Sequence, residues 1–253
     1  MKLTKKLFIA ALAVVGFTFA GCNMNQDTYN IIDFDAPGNC ATVDFTNETG
    51  EMQRAWKTFN SKHKTGNCVI NIGGSNGAGN MGFIWGIEDG ADDTCSFYIA
   101  AINKNGSNSY RYYVSYFEGV GKQYLSGTTS NFCDKDGNQI STTPTENGAK
   151  ETYISTGAGG WTSYNSSKIG FKLSWVQNTG YKLEVFSDID STGTGVGSPT
   201  IMTFAKAGED TAATDAPDKG MGVYAMVYNG LTLQGEWDFP GFTAFSNINE
   251  VVE

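Results

Sequence analysis

A chain of 253 residues with 40% hydrophobic and 13% aromatic content is long enough to bury a substantial core. Its 17 Lys+Arg against 26 Asp+Glu give a net charge of −9, which sets it against nucleic-acid binding, since phosphate contacts need clustered basic residues. The single histidine, His63, stands beside Lys62 and Lys64, so His-based nucleophilic catalysis and a Cys/His zinc site are both disfavoured.

In chain order, Lys2, Lys5 and Lys6 open a basic segment, Leu7 to Phe19 is apolar except for Gly16 and Thr18, and Phe19-Ala20-Gly21-Cys22 follows. This is the layout of a secretory signal, and the apolar run is shorter than the ~20 residues of a membrane-spanning helix. A cysteine directly after Ala-Gly resembles the lipobox of bacterial lipoproteins. The resemblance implies cleavage before Cys22, acylation of Cys22 and export to the cell envelope, with Asn23 at the next position favouring the outer membrane or cell surface. The alternative is ordinary signal cleavage that leaves Cys22 a plain thiol. Without residues 1–21 the chain keeps 14 Lys+Arg against 26 Asp+Glu, a charge of −12. Anionic head groups repel such a chain, so membrane attachment rests on the lipid alone. The expected division is 1–21 signal peptide, 22–30 lipidated tether and 31–253 a single domain.

Thr49 to Lys64 reads as one short helix near residues 50–64, because Met52, Ala55, Trp56 and Phe59 fall at i, i+3, i+4 and i+7. The rest reads as strands with period-two alternation: 68–72, 81–88, 95–102, 110–117, 169–175 and 181–186. A final hairpin, 223–228 with 231–239, is expected around Asn229-Gly230. The polar, Gly- and Thr-rich segments 127–160 and 188–219 read as long loops. Many strands, 32 glycines and one helix predict an all-β sandwich of two antiparallel sheets. Beyond Cys22 four cysteines remain: Cys40, Cys68, Cys95 and Cys133. An even count in an exported chain suggests disulfides. Of the three pairings, Cys40–Cys68 with Cys95–Cys133 is preferred, because each closes a loop between neighbouring segments.

The stretches Gly82-Phe83-Ile84-Trp85-Gly86-Ile87-Glu88-Asp89, Ser96-Phe97-Tyr98-Ile99, Tyr110-Arg111-Tyr112-Tyr113, Gly160-Trp161, Phe171-Lys172-Leu173-Ser174-Trp175, Tyr181 to Phe186, Gly222-Val223-Tyr224 and Glu236-Trp237-Asp238-Phe239 together resemble the concanavalin A-like lectin/glucanase superfamily, in its LamG-like form, over roughly residues 67–246. The resemblance implies a jelly-roll sandwich and contact with extracellular glycan.

Sugar binding needs aromatic faces for the pyranose ring and polar groups for its hydroxyls. Tyr110, Tyr112 and Tyr116 share one strand face, and Arg111, Tyr113 and Phe117 share the other. Trp161 and Tyr164 lie in the loop-like stretch GAGGWTSYNSS. Tyr110, Tyr112, Tyr116, Trp161 and Tyr164 are therefore the expected ligand-binding residues, while Trp85 and Trp175 belong to the apolar sets of their strands and read as core. Calcium is the one metal the composition favours, most readily at Glu88, Asp89, Asp92 and Asp93, with the turns at 134–138 and 188–190 as alternatives. Catalysis is not expected. Glu236 and Asp238 share a face without the third acid that hydrolases of the fold carry. The sequence thus points to a non-catalytic, carbohydrate-binding lipoprotein. A structural or protein-interaction lipoprotein is the alternative and a glycoside hydrolase the third reading.

Overall fold

The computed structural model describes residues 30–35, 40–46, 53–59, 66–71, 79–105, 109–125, 131–166, 168–189, 196–217, 219–227, 232–238 and 245–246. The signal segment, Cys22 and the tether up to residue 29 lie outside the described residues. Two antiparallel sheets make up the fold. Sheet A runs, in spatial order, β1 (Asn30–Asp35), β2 (Cys40–Thr46), β14 (Thr232–Asp238), β4 (Gly66–Asn71), β10 (Lys168–Val176), β11 (Gly180–Phe186) and β12 (Thr200–Phe204). Sheet B runs β15 (Phe245–Ser246), β3 (Gln53–Phe59), β13 (Gly220–Val227), β5 (Gly79–Asp89), β6 (Thr94–Asn105), β7 (Ser109–Gly121) and β8 (Lys150–Tyr153). β9 (Trp161–Tyr164) shares the outer edge of β7 with β8. The chain changes sheet repeatedly, at β2–β3–β4–β5 and again at β12–β13–β14–β15, which makes the sandwich a jelly roll.

Between the sheets lies a core of alternate side chains. Met81, Trp85, Tyr98, Ile102, Tyr112, Val114 and Tyr116 of sheet B meet Ile169, Phe171, Leu173, Tyr181, Leu183 and Val185 of sheet A. Trp85 stacks on Tyr98 with centroids 5.4 Å apart and planes at 14°, and Tyr181 and Phe204 close on the same pair. Trp85 is fully buried and Trp175 packs partly buried against this core, as their alternation predicts. Each large apolar side chain so buried is worth roughly 1.5–3 kcal/mol.

The opposite face of sheet B is also apolar. Ile84, Ile87, Phe97, Ile99, Ala101, Tyr113, Phe117 and Val120 form a second cluster. Two bulges feed it: Gly86 (φ 63°) and Gly119 (φ 71°) sit where the ladders slip by a residue, turning Ile87 and Val120 outward. Residues 122–125 and 131–149 cover part of this face. Phe132 inserts edge-on between Phe97 (5.4 Å) and Phe117 (4.6 Å), and Leu125, Ile140 and Ala149 pack beside it. Asp134 locks the cover. It is 0% exposed and accepts hydrogen bonds from the Asp136 and Asn138 backbone N–H groups (3.0 and 2.9 Å) and from the Asn147 amide (3.1 Å). Burial pushes its carboxyl up, but these hydrogen bonds, with the Asn138 backbone bond foremost, outweigh burial and hold it well below the usual carboxylate range.

Four expectations are corrected. The helix near residues 50–64 does not form: its described part is strand β3, with Trp56 paired to Tyr224 and Ala55 to Ala225. Helical spacing in so short a run is also compatible with a strand, and ladders to β13 and β15 on either side decide the outcome. β13 and β14 do not form a hairpin: β13 lies between β3 and β5 in sheet B, and β14 between β2 and β4 in sheet A. The 127–160 and 188–219 loops contain strands β8 and β12. The preferred disulfides are absent. Cys40 and Cys68 pair with opposite edges of β14, two strand spacings or about 10 Å apart, beyond the reach of a bridge. Cys95 is a free thiol inside the second cluster, pushed up to about 12 chiefly by burial, and the Cys133 sulfur lies 3.9 Å from Asn131 O.

Two stability predictions follow from these contacts. Asp134→Ala is expected to cost at least about 2 kcal/mol in urea unfolding, since several charge-assisted hydrogen bonds are lost at once. Because the folded carboxyl is held low, its contribution is complete above pH ~4 and is lost as pH falls through the lower folded value; Asp134→Asn flattens that acid limb. The β5–β6 turn places Asp92 (φ 56°) and Asp93 (φ 57°) in the left-handed region, with Thr94 N–H donating to Ala91 O at 3.3 Å. This is a type I′ turn, so replacing Asp92-Asp93 by Asn-Gly should raise stability by about 0.5–1 kcal/mol in the same assay.

Candidate functional site

Where the cover ends, the outer face of sheet B opens into a groove of about 310 Å³. One cross-strand row sets its shape. Trp161 pairs with Tyr113, Tyr113 with Ala101, Ala101 with Gly82, and Gly82 with Tyr224. Directly opposed residues share a face, so the row carries small residues on its two middle strands and aromatic residues on each side. Tyr113 and Tyr224 stand three strand spacings, about 14 Å, apart. Gly82 has no substitute, because a Cβ there would lie 1.9 Å from Ala100 O, in the backbone of the neighbouring strand.

Trp161 is held by a glycine turn. Gly159 (φ 61°) and Gly160 (φ 79°) both adopt left-handed backbone, and a Cβ on Gly157 would lie 1.5 Å from Trp161 O. Ser155 Oγ donates to Gly160 O and accepts from Val114 N–H at 3.2 Å, pinning the turn to β7. The half-buried indole meets Tyr113 edge-on at 4.7 Å and carries the Arg111 guanidinium 4.9 Å from its ring centroid. Tyr153, 41% exposed, adds a second aromatic face at the rim.

The polar complement comes from three directions. Asn103 Nδ2 donates to Asn80 Oδ1 at 2.7 Å on the row below. Gln139 and Ser141 line the groove from the cover segment. Glu151 enters from β8 and accepts from Ser115 Oγ at 2.7 Å. Burial pushes the Glu151 carboxyl above its ordinary value, and the Ser115 hydrogen bond works against that shift.

Of the residues singled out from sequence, only Trp161 lines this groove. Tyr112, Tyr116 and Tyr164 are at most 9% exposed and face the inter-sheet core, with Tyr110 packed against it, so no tyrosine platform forms on the sheet surface. The other face of β7 is the open one, and Tyr113 was the residue to choose. Tyr153, Gln139, Glu151 and Tyr224 were also missed. The one available signal was Tyr153, an aromatic isolated in a polar stretch.

The turn expected to hold calcium carries lysines instead. Glu88 pairs with Lys206 and with Lys219 (2.7 Å), Asp89 pairs with Lys122, and Asp92 and Asp93 are exposed. Three ammonium groups thus supply the charge a cation would bring. Among the described residues no group of three or more His, Cys, Asp or Glu is arranged to hold a metal ion.

No protein-family model matches this chain, and no curated protein does. Among solved structures it is similar to a scytalido-glutamic peptidase with a transition state analog inhibitor, at 11% identity and TM-score 0.30, over 81% of this chain and 84% of that one. It is similar also to the kappa-carrageenase from Pseudoalteromonas carrageenovora in complex with an oligotetrasaccharide of kappa-carrageenan, at 7% identity and TM-score 0.30, over 83% and 86%. Scores this low carry no inference about chemistry.

Proposed function

We propose that this chain is an envelope lipoprotein, anchored through Cys22, whose concanavalin A-like sandwich binds a glycan without cleaving it. The observation that carries the reading is the groove lining itself: the aromatic rings of Trp161, Tyr153, Tyr113 and Tyr224 stand with the amides of Asn80 and Gln139, the Ser141 hydroxyl and the Glu151 carboxylate around one concavity. Apolar walls with a few convergent polar groups are the usual form of a small-ligand site. An aromatic face takes the C–H side of a pyranose ring, and Gln139, Ser141 and the Asn80–Asn103 pair take its hydroxyls. The binding is proposed to need no metal, since no lining residue requires one.

Support for a non-catalytic role comes from the carboxylates. Glycoside hydrolysis takes two of them, flanking one bond. Glu151 is the one carboxylate among the described residues that line the groove, while Glu236 and Asp238 belong to β14, in the other sheet.

A glycan array probed with soluble protein starting at Asn23 tests the reading. Specific binding is expected with and without calcium. Trp161→Ala and Tyr153→Ala should each weaken it at least tenfold, about 1.4 kcal/mol, while circular dichroism shows both variants folded at the assay temperature. A blank array from folded protein moves the reading to a protein-interaction lipoprotein.

Glu151→Gln keeps an acceptor for Ser115 and is expected to preserve binding. The parent carboxyl is raised in the folded state, so its ionised form costs stability above that raised value, and the cost disappears as pH falls toward the unfolded value near ~4.3. The variant should therefore melt higher than the parent at neutral pH, with the gap closing toward pH ~4. Parent protein that hydrolyses a bound oligosaccharide, with activity lost in Glu151→Gln, overturns the non-catalytic role.

A further inference from the structure

A second cavity opens on the flank of the sandwich, where β9 of sheet B faces the ends of β11 and β12 in sheet A. It measures about 460 Å³, and every described residue lining it carries a hydroxyl, an amide or a carboxylate. Tyr112 and Tyr164, with ring centroids 6.2 Å apart, form its aromatic part. Thr162 and Asn165 approach from the β9 side, and Ser187, Asp188 and Thr200 from sheet A. Tyr164 is only 9% exposed, and its hydroxyl is buried with no hydrogen-bond partner among the described residues. A buried hydroxyl left unpaired destabilises the fold until a partner reaches it.

The composition of this mouth selects its ligand class. Among the described residues no Lys, Arg or His lines it, so none of them balances an anion. No aliphatic side chain of the described residues lines it either, which leaves little for an apolar ligand to gain. Tyrosine rings among hydroxyl, amide and carboxylate groups suit a neutral ring that bears several hydroxyls.

We propose that this flank mouth is a second binding site, which takes a neutral saccharide unit at the side chains of Thr162, Asn165, Ser187, Asp188 and Thr200, over the exposed edges of Tyr112 and Tyr164. It stands on its own cavity and does not require the groove to be occupied. The two sites nonetheless share one strand: on β9, Trp161 turns toward the groove, and Thr162 and Tyr164 toward the mouth. One strand of four residues therefore contributes to both cavities.

The test is an amide-resolved NMR titration of the full chain in detergent with glucose, galactose, mannose and N-acetylglucosamine, and with glucuronate as the anionic control. At least one neutral probe should shift amides of residues 162–166, 187, 188 and 200. Tyr164→Phe, which keeps the ring, and Asp188→Asn, at an exposed position, should each weaken that response about three- to tenfold. Trp161→Ala should leave it unchanged. The proposal is overturned if no neutral probe moves these amides, if glucuronate moves them as strongly, or if Tyr164→Phe and Asp188→Asn have no effect. It is overturned equally if Trp161→Ala abolishes the response, because the shifts then come from the groove. A glycan array that fails at the groove does not change any of these readouts.

Discussion

The apolar character of both faces of β5, β6 and β7 is the constraint on which the rest of the structure depends. A sheet in an antiparallel sandwich ordinarily buries one face and wets the other. Here Trp85, Tyr98 and Tyr116 fill the inner face while Ile84, Phe97 and Phe117 fill the outer one. The outer set needs a lid, which residues 122–125 and 131–149 supply, with Phe132 between Phe97 and Phe117. A cover made of turns has little apolar area of its own, so it relies on polar locks such as the buried Asp134 carboxylate. The groove is the part of that same face which the cover does not reach. Tyr113, Phe117 and Tyr224 of the second core make one part of its wall, and Phe132, Gln139, Ile140 and Ser141 at the rim of the cover make another.

This arrangement explains which parts of the structure were legible in the sequence. Period-two alternation located β5, β6, β7, β10 and β11 closely, because each strand has a clear apolar set. Alternation does not say which set faces inward when both sets are apolar. On β7, Tyr110, Tyr112 and Tyr116 compete with Tyr113 and Phe117, and moving the choice by one residue exchanges core and surface. The deciding contacts are nonlocal: Phe171 against Tyr112 from sheet A, and Phe132 against Phe117 from the cover. The same holds for β3, where Gln53–Phe59 has a helical stripe but lies between β13 and β15. It holds again for β13 and β14, which Asn229-Gly230 would join as a hairpin were both edges of β13 not taken by β3 and β5.

Charge follows a similar rule. The acidic turn after β5 looks like a cation site from its own residues, yet its partners come from far along the chain, Lys206 and Lys219 for Glu88 and Lys122 for Asp89. Lys219 also reaches Glu209 at 3.0 Å, tying the segment after β12 to the bulged end of β5. Partly exposed pairs of this kind are each worth about 0–1 kcal/mol, so their larger effect is to fix where that segment lies. Lysine spacing in sequence gives no sign of such convergence.

β9 connects these themes to function. It is a four-residue strand on an edge of β7, entered through a turn in which a Cβ on Gly157 or Gly160 would collide with Trp161 or Tyr153 and Gly159 and Gly160 are left-handed. An edge strand this short contributes few ladder bonds, and its place depends on Ser155, which bonds both β7 and the turn. Alternation then sends Trp161 to one side and Tyr164 to the other, so a single local turn orients an indole toward the groove and a phenol toward the flank. The rigid part of the sandwich sets the distance between the two cavities, and the glycine turn sets which residues look into each. Lengthening that turn by one residue would exchange the faces of β9, carrying Trp161 toward the inter-sheet core and Thr162 toward the groove. The aromatic character of the groove therefore depends on the length of the glycine turn as much as on the presence of tryptophan.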